Sequence, residues 1–182
     1  MTLFQGFGAF AAAGVAESDF ELLTSATIPS GTSFSVDNVF TTDYSMYQIV
    51  YAIQDDSNNQ HIRFRLRAGG SDATGATDYK YQQLNVRAID IQAANFETDS
   101  FPRTLSAALS VASHSTVYVF KPAEAEKTGY IMRGTYDLDA AFLRFFSWSG
   151  YHDLATAYDG FTIDGSTTTT FEGAVRVYGW RK

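Results

Sequence analysis

The stretch HIRFRLRA, residues 61 to 68, alternates between polar and apolar side chains one residue at a time. Ile62, Phe64 and Leu66 fall on one side and Arg63, Arg65 and Arg67 on the other, the period of two that sends successive side chains to opposite faces of a β-strand. A helical period would scatter both sets around a cylinder. The stretch therefore predicts a strand with one face in a core and one face wet.

The same period extends outward in both directions. YQIVYAI (47–53) aligns Ile49, Tyr51 and Ile53, and TSFSV (32–36) aligns Phe34 and Val36. Between the two clearest segments lies QDDSNNQ (54–60), whose Asp and Asn side chains bond their own backbone and tolerate left-handed geometry. Residues 47–68 thus predict an antiparallel hairpin. Beyond it, AGGSDATGATD (68–78) reads as a Gly-rich loop and YKYQQLNVRAI (79–89) as the next strand. Further strands are expected at 20–28, 115–122, 128–138, 141–148, 161–165 and 171–180. Only LSAALSVA (105–112) and the Ala-rich N-terminus have a helical composition, and both are too short to be stable helices without packing.

About ten short strands at this spacing, with one face polar, predict an all-β fold: an antiparallel two-sheet β-sandwich, jelly-roll-like, with a short N-terminal arm. The 182 residues are the length of one domain, placed at 19–182, with the arm at 1–18. No repeat of fixed period is present, which argues against a solenoid or propeller. The close, GAVRVYGWRK (173–182), alternates Val175 and Val177 with Arg176 and Tyr178 and reads as a strand locked into the sheet.

Composition narrows the functional classes. A formal net charge of -7 opposes a broad grip on nucleic acid or an anionic membrane, and neither partner is expected. The chain has no cysteine, which removes disulfides, thiolate zinc sites and cysteine nucleophiles together. Fifteen Phe and eleven Tyr against three Pro favour pleated sheet. The N-terminus carries no basic residue before its apolar part, and Gly6, Gly8 and Gly14 interrupt that part, so no secretory signal is expected.

Motifs for catalysis are sparse. His61, His114 and His152 show no metal-ligand spacing, and no metal or other cofactor is expected. Ser149, His152 and Asp153 lie close together in SWSGYHD (147–153), but without a nucleophile elbow the stretch reads as a polar aromatic loop. Asp55 with Asp56, and Asp137 with Asp139, read as solvated acids, although a glycosidase would need such a pair. GFGAF (6–10) lacks the third glycine and the Lys and Ser/Thr of a phosphate loop. No catalytic residue is assigned, and the protein is not expected to be an enzyme.

Three sets of residues are candidates for contact. Arg63, Arg65 and Arg67 present guanidiniums that suit an anionic sugar or a partner's carboxylates, or else pair with Asp and Glu on neighbouring strands. Trp148, Tyr151, His152 and Tyr158 either stack on a sugar or partner, or belong to an aromatic core. Phe4, Phe7 and Phe10 recur every three residues along the arm, and three such rings left in water would invite aggregation, so the arm is expected to pack on something.

The segments FELLTSATIPSGTSFSVDNVFTTDYSMYQIVYAI, IRFRLRAGGSDAT and TDYKYQ, and the close YDGFTID with TTFEGAVRVYGWRK, resemble a loosely defined family of small virion proteins of tailed bacteriophages. Those proteins are single jelly-roll-type sandwiches ending in a Gly-x-h-x-h-Tyr-Gly strand, with h apolar. Gly173, Val175, Val177, Tyr178 and Gly179 occupy that pattern here. The resemblance implies a non-enzymatic role in the virion, on the particle exterior. With the arm, it leads to the expectation of a head decoration or cement protein, a homotrimer attached to other virion proteins through its N-terminal arm. A tail or tail-fibre component binding a host glycan is the alternative; outside the resemblance stand a free carbohydrate-binding module and a small glycan-cleaving enzyme.

Overall fold

The computed structural model describes residues 18–55, 61–87, 90–99, 103–105, 113–137, 143–165 and 169–182. The Phe residues of the arm, Phe4, Phe7 and Phe10, lie outside the described residues, as do residues 106–112 of the expected helical stretch.

The described residues form thirteen strands: β1 (Phe20–Gly31), β2 (Ser33–Val36), β3 (Tyr44–Asp55), β4 (His61–Ala68), β5 (Ser71–Asp72), β6 (Tyr79–Arg87), β7 (Asp90–Asp99), β8 (Arg103–Leu105), β9 (Ser113–Phe120), β10 (Lys127–Asp137), β11 (Leu143–Ala155), β12 (Gly160–Gly165) and β13 (Phe171–Arg181). All pairings are antiparallel. One sheet of eight runs in the order β1-β13-β3-β9-β10-β11-β6-β7, and a sheet of five contains β2-β12-β4-β5 with β8 also paired to β4.

The pairings reveal how the sandwich is wound. β1 pairs with β13, β2 with β12, β3 with β9 and β4 with β8, so the two halves of the chain nest as one long hairpin whose successive strand pairs fall alternately in the two sheets. That is the jelly-roll arrangement. Two insertions then enlarge one sheet only: β10 and β11 follow β9, and β6 and β7 add beyond β11.

The winding corrects the expected 47–68 hairpin. β3 pairs with β13 and β9, whereas β4 pairs with β12, β5 and β8, so the chain crosses from one sheet to the other between them. Asp and Asn favour a reversal of direction but do not choose a strand's partner. Ile49, Tyr51 and Ile53 instead share one core with Ile62, Phe64 and Leu66 of the other sheet. A tight hairpin does occur one step later, where Gly69 and Gly70, at φ of 56° and 77°, join Ala68 to Ser71. Two positive φ angles in a two-residue loop are the geometry that glycine adopts most cheaply. SWSGYHD also departs from expectation. It lies within β11, where Trp148 and His152 point inward and Ser149 and Tyr151 outward, and the inward Gly150 beside the outward Tyr151 conceals that alternation.

Core packing follows the cross-strand rows. On the inner face of the large sheet, Tyr81, Gly150, Tyr130, Val119, Tyr47 and Gly179 stand side by side across six strands. The glycines make room for their neighbours: a Cβ on Gly150 would fall 2.0 Å from the Lys80 carbonyl oxygen, and one on Gly179 2.5 Å from the Tyr44 ring.

Candidate interaction surface

The outer faces of the two sheets differ in what they offer. On the small sheet, Arg63, Arg65 and Arg67 of β4 point outward, as their alternation with the buried Ile62, Phe64 and Leu66 requires. Asp164, on the neighbouring β12, accepts Arg63 at 2.7 Å and Arg65 at 3.1 Å. Arg67 reaches Asp37 at 2.7 Å, and also engages Asp72, the Thr162 hydroxyl and the Gly70 carbonyl oxygen. Thr162 in turn donates to Asp72 and lies 2.9 Å from the Ser35 hydroxyl. These guanidiniums are therefore held by acids of the same domain, and the row is a cross-strand lattice.

The aromatic set divides according to which face of β11 each residue occupies. Trp148 is 1% exposed and stacks on Tyr81 with ring centroids 5.2 Å apart. His152 and Tyr158 are buried together, with Tyr79 edge-on to the imidazole at 4.5 Å. These three rings belong to the interior, which corrects their assignment to a contact surface. Tyr151 alone of the four faces out, at 39% exposure, with the Lys127 and Lys80 ammoniums 5.4 and 6.0 Å from its ring centre. Both lysines also grip Asp153, and this pairing, Lys127 foremost, holds its carboxyl down at about 2.

The same division separates the grouping in SWSGYHD: Ser149 is exposed while His152 is buried, so they sit on opposite faces of β11. Among the described residues, no three His, Cys, Asp or Glu side chains are grouped to hold a metal ion.

The outer face of the large sheet carries a feature that none of the expected sets contains. Register aligns Phe20, Trp180, Met46, Phe120, Gly129 and Tyr151 in one row across six strands. The adjoining row reads Leu22, Tyr178, Gln48, Tyr118, Ile131 and Ser149. Phe20 stacks on Tyr178 at 5.0 Å and lies 4.5 Å from the Trp180 ring, and Phe120 leans over Gly129. Leu22 is 53% exposed and Trp180 38%. Across these six strands neither row carries a charged side chain, but on β6 the first row continues to Lys80, and the next outward row carries the exposed Arg176 and Arg133.

A signal for this face exists in the sequence. In STVYVF, Val117 and Val119 point inward while Tyr118 and Phe120 point outward; in VYGW, Val177 and Gly179 point inward while Tyr178 and Trp180 point outward. Strands that are apolar at both parities are the pattern of a sheet covered on both sides.

No family model matches the chain, and no curated protein matches it.

Proposed function

We propose that the chain is a non-enzymatic structural protein of a bacteriophage virion, carried on the particle exterior as a head decoration or cement protein. The observation that carries this reading is the pair of aromatic rows at the β1 end of the large sheet's outer face, bordered by Lys80, Arg133 and Arg176, on a jelly-roll domain. An area of rings and aliphatic side chains of this kind suits a protein partner, because Trp, Tyr and Phe supply large contact area at small entropic cost. Its attachment elements are that face and the arm bearing Phe4, Phe7 and Phe10, which joins the domain beside it. The virion resemblance of the C-terminal Gly-x-h-x-h-Tyr-Gly strand supports the same reading, and a homotrimer is its expected state.

Mass spectrometry of purified particles tests the proposal: the chain is expected at a fixed stoichiometry to the major capsid protein, and its absence from particles would end the reading. Tyr151, exposed between Lys80 and Lys127, favours a second reading as a tail component that binds a host glycan. Specific retention on a glycan array, lost in Tyr151→Ala, would select that reading.

A further inference from the structure

We propose that β7 is a docking edge for the β7 of a second copy of this chain, the two strands pairing antiparallel about a two-fold axis at Ala93 and joining two eight-stranded sheets into one. β7 is the last strand of its sheet, and among the described residues only β6 pairs with it. Asp90, Ile91, Gln92, Ala93 and Ala94 are all exposed, so the strand is open on both faces as well as along its edge. Ile91 is 69% exposed, and Leu84, opposite Ala93 on β6, is 40% exposed. An open edge of this kind presents a row of unpaired backbone N–H and C=O groups, a template for another strand.

The other edge of the same sheet is protected. β1 carries Pro29, which has no amide hydrogen to donate, and its register shifts twice, between Leu22 and Thr24 and between Ile28 and Gly31. Over its first seven residues β7 has neither device. DIQAANF, Asp90 to Phe96, contains no proline, glycine or lysine and runs opposite Arg87 to Tyr81 without a shift. The one register shift of the pair falls beyond it, between Tyr81 and Tyr79.

That segment also selects its partner. Ala93 is its midpoint, and a two-fold axis there matches all seven residues with none left over. Asp90, the only charge among them, falls opposite position 96 of the other copy, which sets the two Asp90 residues six positions, ~20 Å, apart along the strands. A register centred near Asp90 would instead set like charges against each other. Residues directly opposed share a face, so the row Ser147–Leu84–Ala93 continues into its two-fold image with small alanines at the axis and the two Leu84 side chains flanking it. Backbone bonds fit any strand, whereas this placement of charge and of alanine belongs to a second β7. The contact joins two monomers, or a chain of one trimer to a chain of the next, and stands whether or not the chain is a virion protein.

The chain has no cysteine, so a single introduced one reports the pairing. Under mild oxidation the full chain carrying Ala93→Cys should form disulfide-linked dimers. Ile91→Cys should not, because its two copies stand four positions, ~13 Å, apart along the strands, beyond the reach of a disulfide. Sedimentation equilibrium gives a second readout. The native chain should double in mass as concentration rises, Ala93→Lys and Ala93→Glu should each lose that doubling, and their equimolar mixture should regain it, since opposite charges then meet at the axis. Both variants alter an exposed side chain, and far-ultraviolet circular dichroism checks that the fold is kept. Absence of cross-linking at Ala93, cross-linking at Ile91 in its place, or equal masses for the native, Lys and Glu chains would overturn the proposal. None of these outcomes bears on whether purified particles contain the chain, so the two readings fail separately.

Discussion

The Tyr158 hydroxyl lies 2.8 Å from Nδ1 of His152, and both side chains are buried. Burial pushes the imidazole below its ordinary value of 6.5, and the Asp78 carboxylate, 3.8 Å from Nε2, opposes that only in part. The folded protein therefore keeps the ring neutral at pH values where the unfolded chain protonates it. Stability from this source is complete above pH 6.5 and is lost as pH falls below it, at up to ~1.4 kcal/mol per unit, until the folded-state value is reached. Urea midpoints measured at pH 7.5 and 5.5 should fall more for the native protein than for His152→Gln. Equal falls would remove His152 from the account.

Trp148 and Tyr151 lie three positions apart on β11 and face opposite ways, which their substitutions should separate. Trp148→Ala removes a buried ring stacked on Tyr81 and should cost about 3–5 kcal/mol. Tyr151→Ala removes an exposed ring and should change stability by less than ~1 kcal/mol. Chemical denaturation of the two variants gives the comparison, and similar losses would contradict the assigned faces.

Gly173 stands opposite Ile53 in the β13–β3 ladder, where a Cβ would fall 2.0 Å from the Ala52 carbonyl oxygen. Backbone cannot yield there as a long side chain can, so Gly173→Ala should destabilise by about 2–3 kcal/mol. Ala174→Gly, at the neighbouring exposed position, should cost no more than ~1 kcal/mol. Thermal unfolding of both variants checks the order.

Arg67 binds two carboxylates, a hydroxyl and a carbonyl oxygen at once, whereas Arg65 shares Asp164 with Arg63. A lysine has one ammonium and cannot span those acceptors. Arg67→Lys should therefore recover little of the ~2 kcal/mol expected to be lost in Arg67→Ala. Arg65→Lys keeps an ammonium beside Asp164 and should cost less than Arg67→Lys. Urea denaturation at low and moderate salt is the measurement, and full rescue by Arg67→Lys would show that charge alone suffices.

How much was legible follows from what each residue pattern encodes. β4 was readable because Ile62, Phe64 and Leu66 alternate with arginines, and burial of one face obeys the same period as the sequence. Its partner was not, because pairing in a jelly roll joins residues far apart, such as Ile163 with Phe64, and no local pattern records that. Asp164 could be anticipated as an arginine partner only once β12 lay beside β4. β7 was missed because DIQAANFETD lacks the clean alternation of a half-buried strand, as befits the edge of a sheet. Trp148 and His152 were misplaced for another reason: after the apolar–polar steps Phe146–Ser147 and Trp148–Ser149, an inward Gly150 and an outward Tyr151 break the alternation that would have revealed the inward set.

The proposed fastening of this domain to the outside of a phage particle, by its aromatic face and its arm, can be seen in a cryo-electron reconstruction of purified particles. Such fastening predicts density for the jelly roll on the exterior, with Tyr178 and Trp180 turned toward the shell and the Arg63–Arg65–Arg67 lattice turned outward. It also predicts that particles assembled with the chain lacking residues 1–17 lose that density. Particles on which the domain is absent, or is seated with Tyr178 and Trp180 facing solvent, would contradict it.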